Sequence, residues 1–167
     1  RAIADSFTAE LSSERVNGFR QAVSEAQRIL YLGDNAGEIV FDRLLIEQLP
    51  MDRVTVAVRG YPTINDATLD DAVAAGLTEL VTVIDNGSDI PGTILNACSA
   101  AFQDQFQRAD LIIAKGQGNY ETLNDVDHNI YFLLKVKCPV VASDTQSAVG
   151  ALVLQKTDYS ASAQVVS

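Results

Sequence analysis

The chain has 167 residues, of which 47% are hydrophobic and 20% charged, a composition typical of a globular protein with enough residues for one full core. Its formal net charge of −10 argues against nucleic acid or an anionic membrane surface as a partner. Cys98 and Cys138 lie far apart without metal-binding spacing, and no apolar run is long enough to span a bilayer, so we expect reduced thiols in a cytoplasmic protein.

The first part of the chain reads as one helix. Apolar side chains recur at helical spacing over residues 9–27, so we assign residues 1–27 to a leading helical segment. Short apolar runs follow that are continuous rather than alternating, which is typical of strands buried on both faces of a parallel sheet. These runs cover residues 28–33, 53–58, 80–85, 110–115, 130–135 and 151–156.

Helical patterns separate the first four of these runs. The sequence therefore predicts an α/β fold, namely a doubly wound, mainly parallel sheet of about six strands with helices on both faces. We assign residues 28–157 to this domain and residues 158–167 to a tail. Ligands of such sheets bind beyond the carboxyl ends of the strands, so the loops there are the place to look for a site.

Carboxylates and amides follow the first two predicted strands. In GDNAGE, Asn35 caps the next helix together with Glu38, or else Asp34 and Asn35 offer hard oxygen ligands to Mg²⁺ or Mn²⁺. Asp66 follows the second strand, where it either caps a helix or completes an oxygen site around a metal held by Asp34. Both alternatives remain open from these residues alone.

The fourth predicted strand ends in Lys115, where a buried ammonium requires an anion or a carboxylate beside it. Gly116 and Gly118 let backbone N–H groups approach a ligand, and a helix start at Asn119 would add its dipole, which favours phosphate. The alternative is a structural turn with a salt-bridged lysine. The segment KGQGNYE is neither a P-loop nor a complete GxGxxG motif.

Five segments taken in order resemble the metal-dependent damage-control phosphatases. This family was long known as a domain of unknown function, and it includes a protein named for acidic-residue methyltransferase activity. The segments are LGDNAGEIVFDRLLIEQL, VAVRGYPTINDATLDDA, NGSDIPGT, ADLIIAKGQGNYETL and YFLLKVKCPVVA, and the resemblance extends from about residue 28 to about residue 156.

The resemblance implies a site with one divalent metal ion, Mn²⁺, Mg²⁺, Ni²⁺ or Co²⁺. Its implied metal ligands are Asp34, Asn35 and Asp66, with Asp34 and Lys115 as catalytic residues. A further substrate lysine is implied in the last motif; we assign it to Lys137 rather than Lys135 because Lys137 directly precedes Cys-Pro. The implied substrate-binding residues are Asp34, Asn35, Lys115, Gly116, Gln117, Gly118, Asn119, Tyr120 and Lys137.

Members of the family hydrolyse small phosphorylated metabolites, including sugar phosphates, and remove harmful side products. The resemblance therefore implies a metal-dependent phosphomonoester hydrolase; the competing hypothesis is a non-catalytic α/β module that binds a nucleotide or another phosphorylated ligand. Family members usually carry a larger helical region before the first motif, where this chain begins with Arg1 and has only residues 1–27. We therefore expect either a fragment with reduced activity or a protein in which these helices are dispensable.

Overall fold

The computed structural model describes residues 11–157. Its first helix, α1 (Ser13–Glu25), lies within the leading helix predicted over residues 9–27. Residues 1–10 and the predicted tail, residues 158–167, lie outside the described part of the chain. No helix within residues 11–157 is long and apolar enough to cross a membrane.

Six strands form one sheet. They are β1 (Ile29–Leu32), β2 (Val54–Val58), β3 (Thr82–Asp85), β4 (Leu111–Lys115), β5 (Ile130–Lys135) and β6 (Leu152–Lys156). Their spatial order is β3-β2-β1-β4-β5-β6, with the first five parallel and β6 antiparallel to β5 at one edge. The predicted doubly wound, mainly parallel sheet is confirmed.

Helices cover both faces of the sheet, as the sequence predicts. The remaining helices are α2 (Ile39–Ile46), α3 (Leu69–Ala74), α4 (Ala100–Arg108), α5 (Gln117–Leu123) and α6 (Pro139–Asp144). Helices α1, α2 and α3 contribute to the core on one face, and α4, α5 and α6 to the core on the other. Every residue of β1 and β4 is buried because these central strands are covered on both sides, which explains their continuous apolar runs.

Several apolar residues of α2 face away from the core. Leu44 is 62% exposed, while Ile39 and Ile46 are buried. At 3.6 residues per turn, Leu44 lies about 140° around the helix from Ile39, whereas Ile46 returns to the same side. Apolar character alone therefore did not identify the buried face of this helix.

Candidate functional site

The candidate site lies where the strand order reverses. Strand β1 is flanked by β2 on one side and by β4 on the other, with Leu32 in register with Ala114 at the carboxyl ends. Such a switch point leaves a crevice outside the strand ends. Asp34 follows β1 by two residues and Lys115 is the last residue of β4, so the topology brings these two side chains to one place.

The Asp34 carboxylate packs against the backbone of Gly116. A Cβ added at Gly116 would lie 2.0 Å from Asp34 Oδ2, and Gly116 has a φ of +81°, so only glycine suits this position. Burial, followed by the charges of Glu38 and Asp66, raises the pKa of Asp34 to about 6. The site therefore holds this carboxylate in an environment that disfavours its negative charge.

Asn35 turns its side chain toward this carboxylate rather than toward the following helix. Its Nδ2 donates to Asp34 Oδ2 at 2.7 Å, and its Oδ1 accepts from Asn65 Nδ2 at 2.6 Å. Helix α2 has Glu38 as its N-cap residue, without a capping side-chain bond, and only the backbone carbonyl of Asn35 accepts from the first turn. The capping interpretation of the Asn35 side chain is therefore wrong.

Asp66 is brought beside the first loop by an isolated antiparallel bridge between Asn35 and Asp66. Its Oδ2 accepts from Arg59 Nε at 2.6 Å, and the two side chains are only 10% and 4% exposed. Helix α3 is capped instead by Thr68, which forms a reciprocal capping box with Asp71. Asp66 thus does not cap its own helix, and Arg59 is a neighbour of the site that the sequence analysis missed.

Asp34, Asn35 and Asp66 carry oxygen atoms of the kind that bind a hard divalent cation. Within residues 11–157, Asp34 Oδ1 and Asp66 Oδ1 accept no hydrogen bond, and Asn35 Oδ1 accepts one, which leaves it a lone pair. A cation would also offset the burial and the neighbouring negative charges that together raise the pKa of Asp34. No group of three His, Cys, Asp or Glu side chains in the described residues could hold a metal, and the predicted set has two carboxylates and one amide.

Lys115 is buried and meets two carboxylates, those of the α2 N-cap residue Glu38 and of Asp42 within α2. Its Nζ donates to Asp42 Oδ1 at 2.6 Å and to Glu38 Oε1. Tyr31, in β1, donates its hydroxyl to the same Asp42 oxygen at 2.8 Å. Burial alone would lower the pKa of Lys115, but Asp42 and Glu38 outweigh it and raise that pKa, so the lysine stays a cation.

This network was missed in the sequence, although one signal was present. Glu38 was considered only as a capping partner, and Asp42 and Tyr31 were not singled out. Residues four apart lie on one face of a helix, so Glu38 and Asp42 form an acidic pair there. A buried lysine at the end of a strand requires such an acidic partner. The sequence could not show which lysine the pair faces.

The glycine loop after β4 connects to the last motif. Helix α5 begins at Gln117, two residues before the start expected at Asn119. Gln117 Nε2 donates to Glu121 Oε1 at 2.8 Å, and Gln117 Oε1 accepts from the backbone N–H of Lys137 at 2.9 Å. Gly118 packs tightly on Gly92, where an added Cβ would lie 2.5 Å from the Gly118 oxygen.

Two further residues of the implied phosphate cradle, like Gln117, have side chains with structural partners. Asn119 is 1% exposed; its Oδ1 accepts from Thr93 at 2.7 Å, and its Nδ2 donates to the carbonyls of Gly33 and Lys115. These bonds use both of its N–H donors, so its side chain ties loops together and has none left for a ligand.

The second of these residues is Tyr120. Its ring packs edge-on against Phe132, and its hydroxyl donates to Asp144. It lines a separate cavity of about 380 Å³ with Asp144 rather than the one that contains Lys115. This position of Tyr120 therefore does not favour the contact between its side chain and the substrate that the resemblance implies.

One cavity of about 360 Å³ is lined by Asp34 and Lys115, whereas Asn35 and Asp66 are not part of its lining. Lys135 is half-buried and Lys137 is exposed, and both line this cavity, so the structure does not choose between them. The polar lining consists of Asp34, Glu38, Lys115, Gly116, Gln117, Lys135 and Lys137. A larger cavity, of about 710 Å³, lies near Arg28 and Arg53 at the amino-terminal ends of β1, β2 and β3, away from this cluster.

The fold and the site define a doubly wound α/β protein with a carboxylate- and lysine-lined cavity at the switch point of its sheet. The chain belongs to the family described as the damage-control phosphatase ARMT1-like domain, whose model matches residues 1–153. This confirms the family resemblance found in the sequence motifs.

Proteins and a solved structure from three archaea are similar to this chain. An uncharacterized protein of Methanocaldococcus jannaschii is 51% identical over 136 residues, covering 78% of this chain and 45% of its own length. A damage-control phosphatase of Pyrococcus horikoshii is 45% identical over 143 residues, covering 83% and 50%. A damage-control phosphatase of Archaeoglobus fulgidus is 40% identical over 130 residues, covering 75% and 45%.

The crystal structure of a DUF89 family protein from Pyrococcus horikoshii matches this fold with a TM-score of 0.81 and 43% identity. The match covers 85% of this chain and 51% of that chain. The chain thus spans about half the length of the relatives it matches.

Proposed function

We propose that the protein containing this chain is a metal-dependent phosphatase that hydrolyses small phosphorylated metabolites, such as sugar phosphates. The observation that carries the proposal is that the buried Lys115 and the Asp34 carboxylate line the same cavity. Two relatives that share 45% and 40% identity are named damage-control phosphatases, which supports the same activity. Residues 28–157 form the proposed metal- and phosphate-binding unit.

Phosphate-ester hydrolysis mainly requires positioning and neutralisation of charge on the transferred group. Lys115 would meet a phosphoryl oxygen from the strand side, and Lys137 or Lys135 would meet the phosphate from the other wall of the cavity. Gly116, which has no side chain, lets the Asp34 carboxylate lie directly against the end of β4 and so close to Lys115. The net charge of −10 makes these local cations necessary, because the protein as a whole repels an anionic substrate.

Asp34, Asn35 and Asp66 are the residues we propose to hold the metal. When bound, a divalent ion would polarise the phosphoryl oxygen and lower the pKa of a bound water. Arg59 fixes Asp66 through their buried ion pair, and Asn35 fixes Asp34 through its amide, so both carboxylates are held in place before any ligand arrives. We further propose a cytoplasmic location, which agrees with the free thiols of Cys98 and Cys138.

The test uses the full-length protein and a panel of sugar phosphates with p-nitrophenyl phosphate. Rates are measured with added Mg²⁺, Mn²⁺, Co²⁺ or Ni²⁺, and again after chelation. Asp34→Asn should abolish metal-dependent turnover, whereas Asp125→Asn, which removes an exposed carboxylate from the loop after α5, should not. Tight binding of phosphorylated ligands without turnover under every metal would favour the binding-module hypothesis instead.

A further inference from the structure

The two carboxylates that hold Lys115 differ sharply in exposure. Glu38, the N-cap residue of α2, lies four residues before Asp42, and both accept from the Lys115 ammonium. The Asp42 side chain is 3% exposed, whereas that of Glu38 is 36% exposed and lies at the wall of the cavity. The lysine is therefore bound on one side by a buried group and on the other by a group in contact with solvent.

The buried partner cannot release the lysine without a large penalty. Asp42 Oδ1 accepts from Lys115 and from Tyr31, which is fully buried, while Asp42 Oδ2 has no hydrogen-bond partner. Loss of Lys115 would leave the Asp42 charge with the Tyr31 hydroxyl alone. Glu38, in contrast, can exchange the ammonium for water because its side chain is already partly solvated.

We propose that Glu38 acts as an internal competitor for Lys115, which a phosphate group displaces, while Asp42 and Tyr31 keep the ammonium in position. The inference rests on the proposed function of this cavity as a phosphate site. The Glu38 carboxylate lies on Lys115 where a phosphoryl oxygen would bind, and both residues line the cavity. A phosphomonoester carries more negative charge than one carboxylate, so it can displace Glu38 where a singly charged acid cannot. Glu38 thereby contributes to selectivity for phosphate.

The experiment measures the affinity of inorganic phosphate, by calorimetry on the full-length protein with Mg²⁺ present throughout. Glu38→Gln keeps the size of the side chain but removes the charge that competes for Lys115. We expect phosphate to bind on the order of tenfold more tightly to this variant. The matched control is Glu47→Gln, which removes the same charge just beyond the end of α2, and we expect unchanged affinity there.

A double-mutant cycle separates competition for Lys115 from plain repulsion of phosphate. The second background is Lys115→Met with Asp42→Asn, which removes one buried cation and one buried anion together so that the protein still folds. In this background, Glu38→Gln should change the phosphate affinity by less than about twofold, because no ammonium remains to be released.

Two results with the Glu38→Gln variants, and one with the wild-type protein, would overturn the inference. One is phosphate affinity that is unchanged or weaker in Glu38→Gln, and the other is a gain of equal size with and without Lys115. Failure of the wild-type protein to bind inorganic phosphate would overturn it as well. Phosphate binding is measured without turnover. A protein that binds phosphate but hydrolyses no ester would therefore refute the proposed function, while the double-mutant cycle would still decide whether Glu38 competes for Lys115.

Discussion

Replacing Lys115 with Met removes a cation from a buried network while keeping most of the aliphatic stem. Asp42 would then be a carboxylate at 3% exposure with Tyr31 as its remaining donor. Removing one partner of a buried ion pair destabilises a protein by about 3–5 kcal/mol. Glu38 adds little because its side chain is 36% exposed and can be solvated. For a chain of this size, we expect the melting temperature to fall by roughly 6–20 °C.

A second substitution tests whether Asp42 causes this loss. Asn in place of Asp42 is neutral and still accepts the Tyr31 hydroxyl, so Lys115→Met combined with Asp42→Asn should recover most of the stability. The control is Arg108→Met, which breaks an exposed pair with Asp104 and should cost less than about 1 kcal/mol. All variants are compared by thermal and urea unfolding at pH 7.

In these Lys115 variants, the phosphatase rate should not recover together with the stability. If Lys115 meets the substrate phosphate, both Lys115 variants should lose roughly a hundredfold or more in phosphatase rate per folded molecule. A double variant as unstable as the single one would mean that Asp42 is not the group Lys115 neutralises. A double variant with full stability and full rate would mean that Lys115 is only an ion-pair partner, and our assignment of its role would be wrong.

Three further tests concern the glycine loop, the metal ligands and the residue turned away from the cavity. Gly116→Ala should displace the Asp34 carboxylate and weaken Mn²⁺ binding in calorimetry, whereas Gly150→Ala, also at positive φ but with open space around it, should cost stability alone. Because burial and neighbouring carboxylates raise the pKa of Asp34 to about 6, its charge destabilises the metal-free fold above that pH. In chelator, the free energy of unfolding should therefore gain a contribution as the pH falls from about 6 to about 4, and Asp34→Asn should lack it; an identical pH dependence in both proteins would refute this reasoning. Tyr120→Phe removes the hydroxyl bonded to Asp144 and should cost about 1 kcal/mol while leaving the rate unchanged, so a large rate loss with normal stability would restore Tyr120 to the substrate site.

The sequence was sufficient for the architecture because the relevant signals are local. Strands buried on both faces need continuous apolar runs, and β1 and β4 have them without a polar residue before their carboxyl ends. The edge strand β3, with exposed residues at both ends, has the weaker pattern that its position implies. Helix capping was harder to predict from the sequence. Asn35 and Asp66 have side chains suited to an N-cap, but they are hydrogen-bonded to Asp34 and Arg59 instead.

The sequence by itself determined which residue types lie at the carboxyl ends of the strands. Apolar runs and turn residues are local patterns, and they place Asp34, Asp66 and Lys115 there without reference to the rest of the chain. What only the tertiary structure decided is their partners. Lys115 is paired with residues 73 and 77 positions earlier in the chain, and such contacts depend on strand order rather than on any local pattern. Likewise, the Asn119 side chain is hydrogen-bonded to Thr93 and Gly33, which only folding brings beside it.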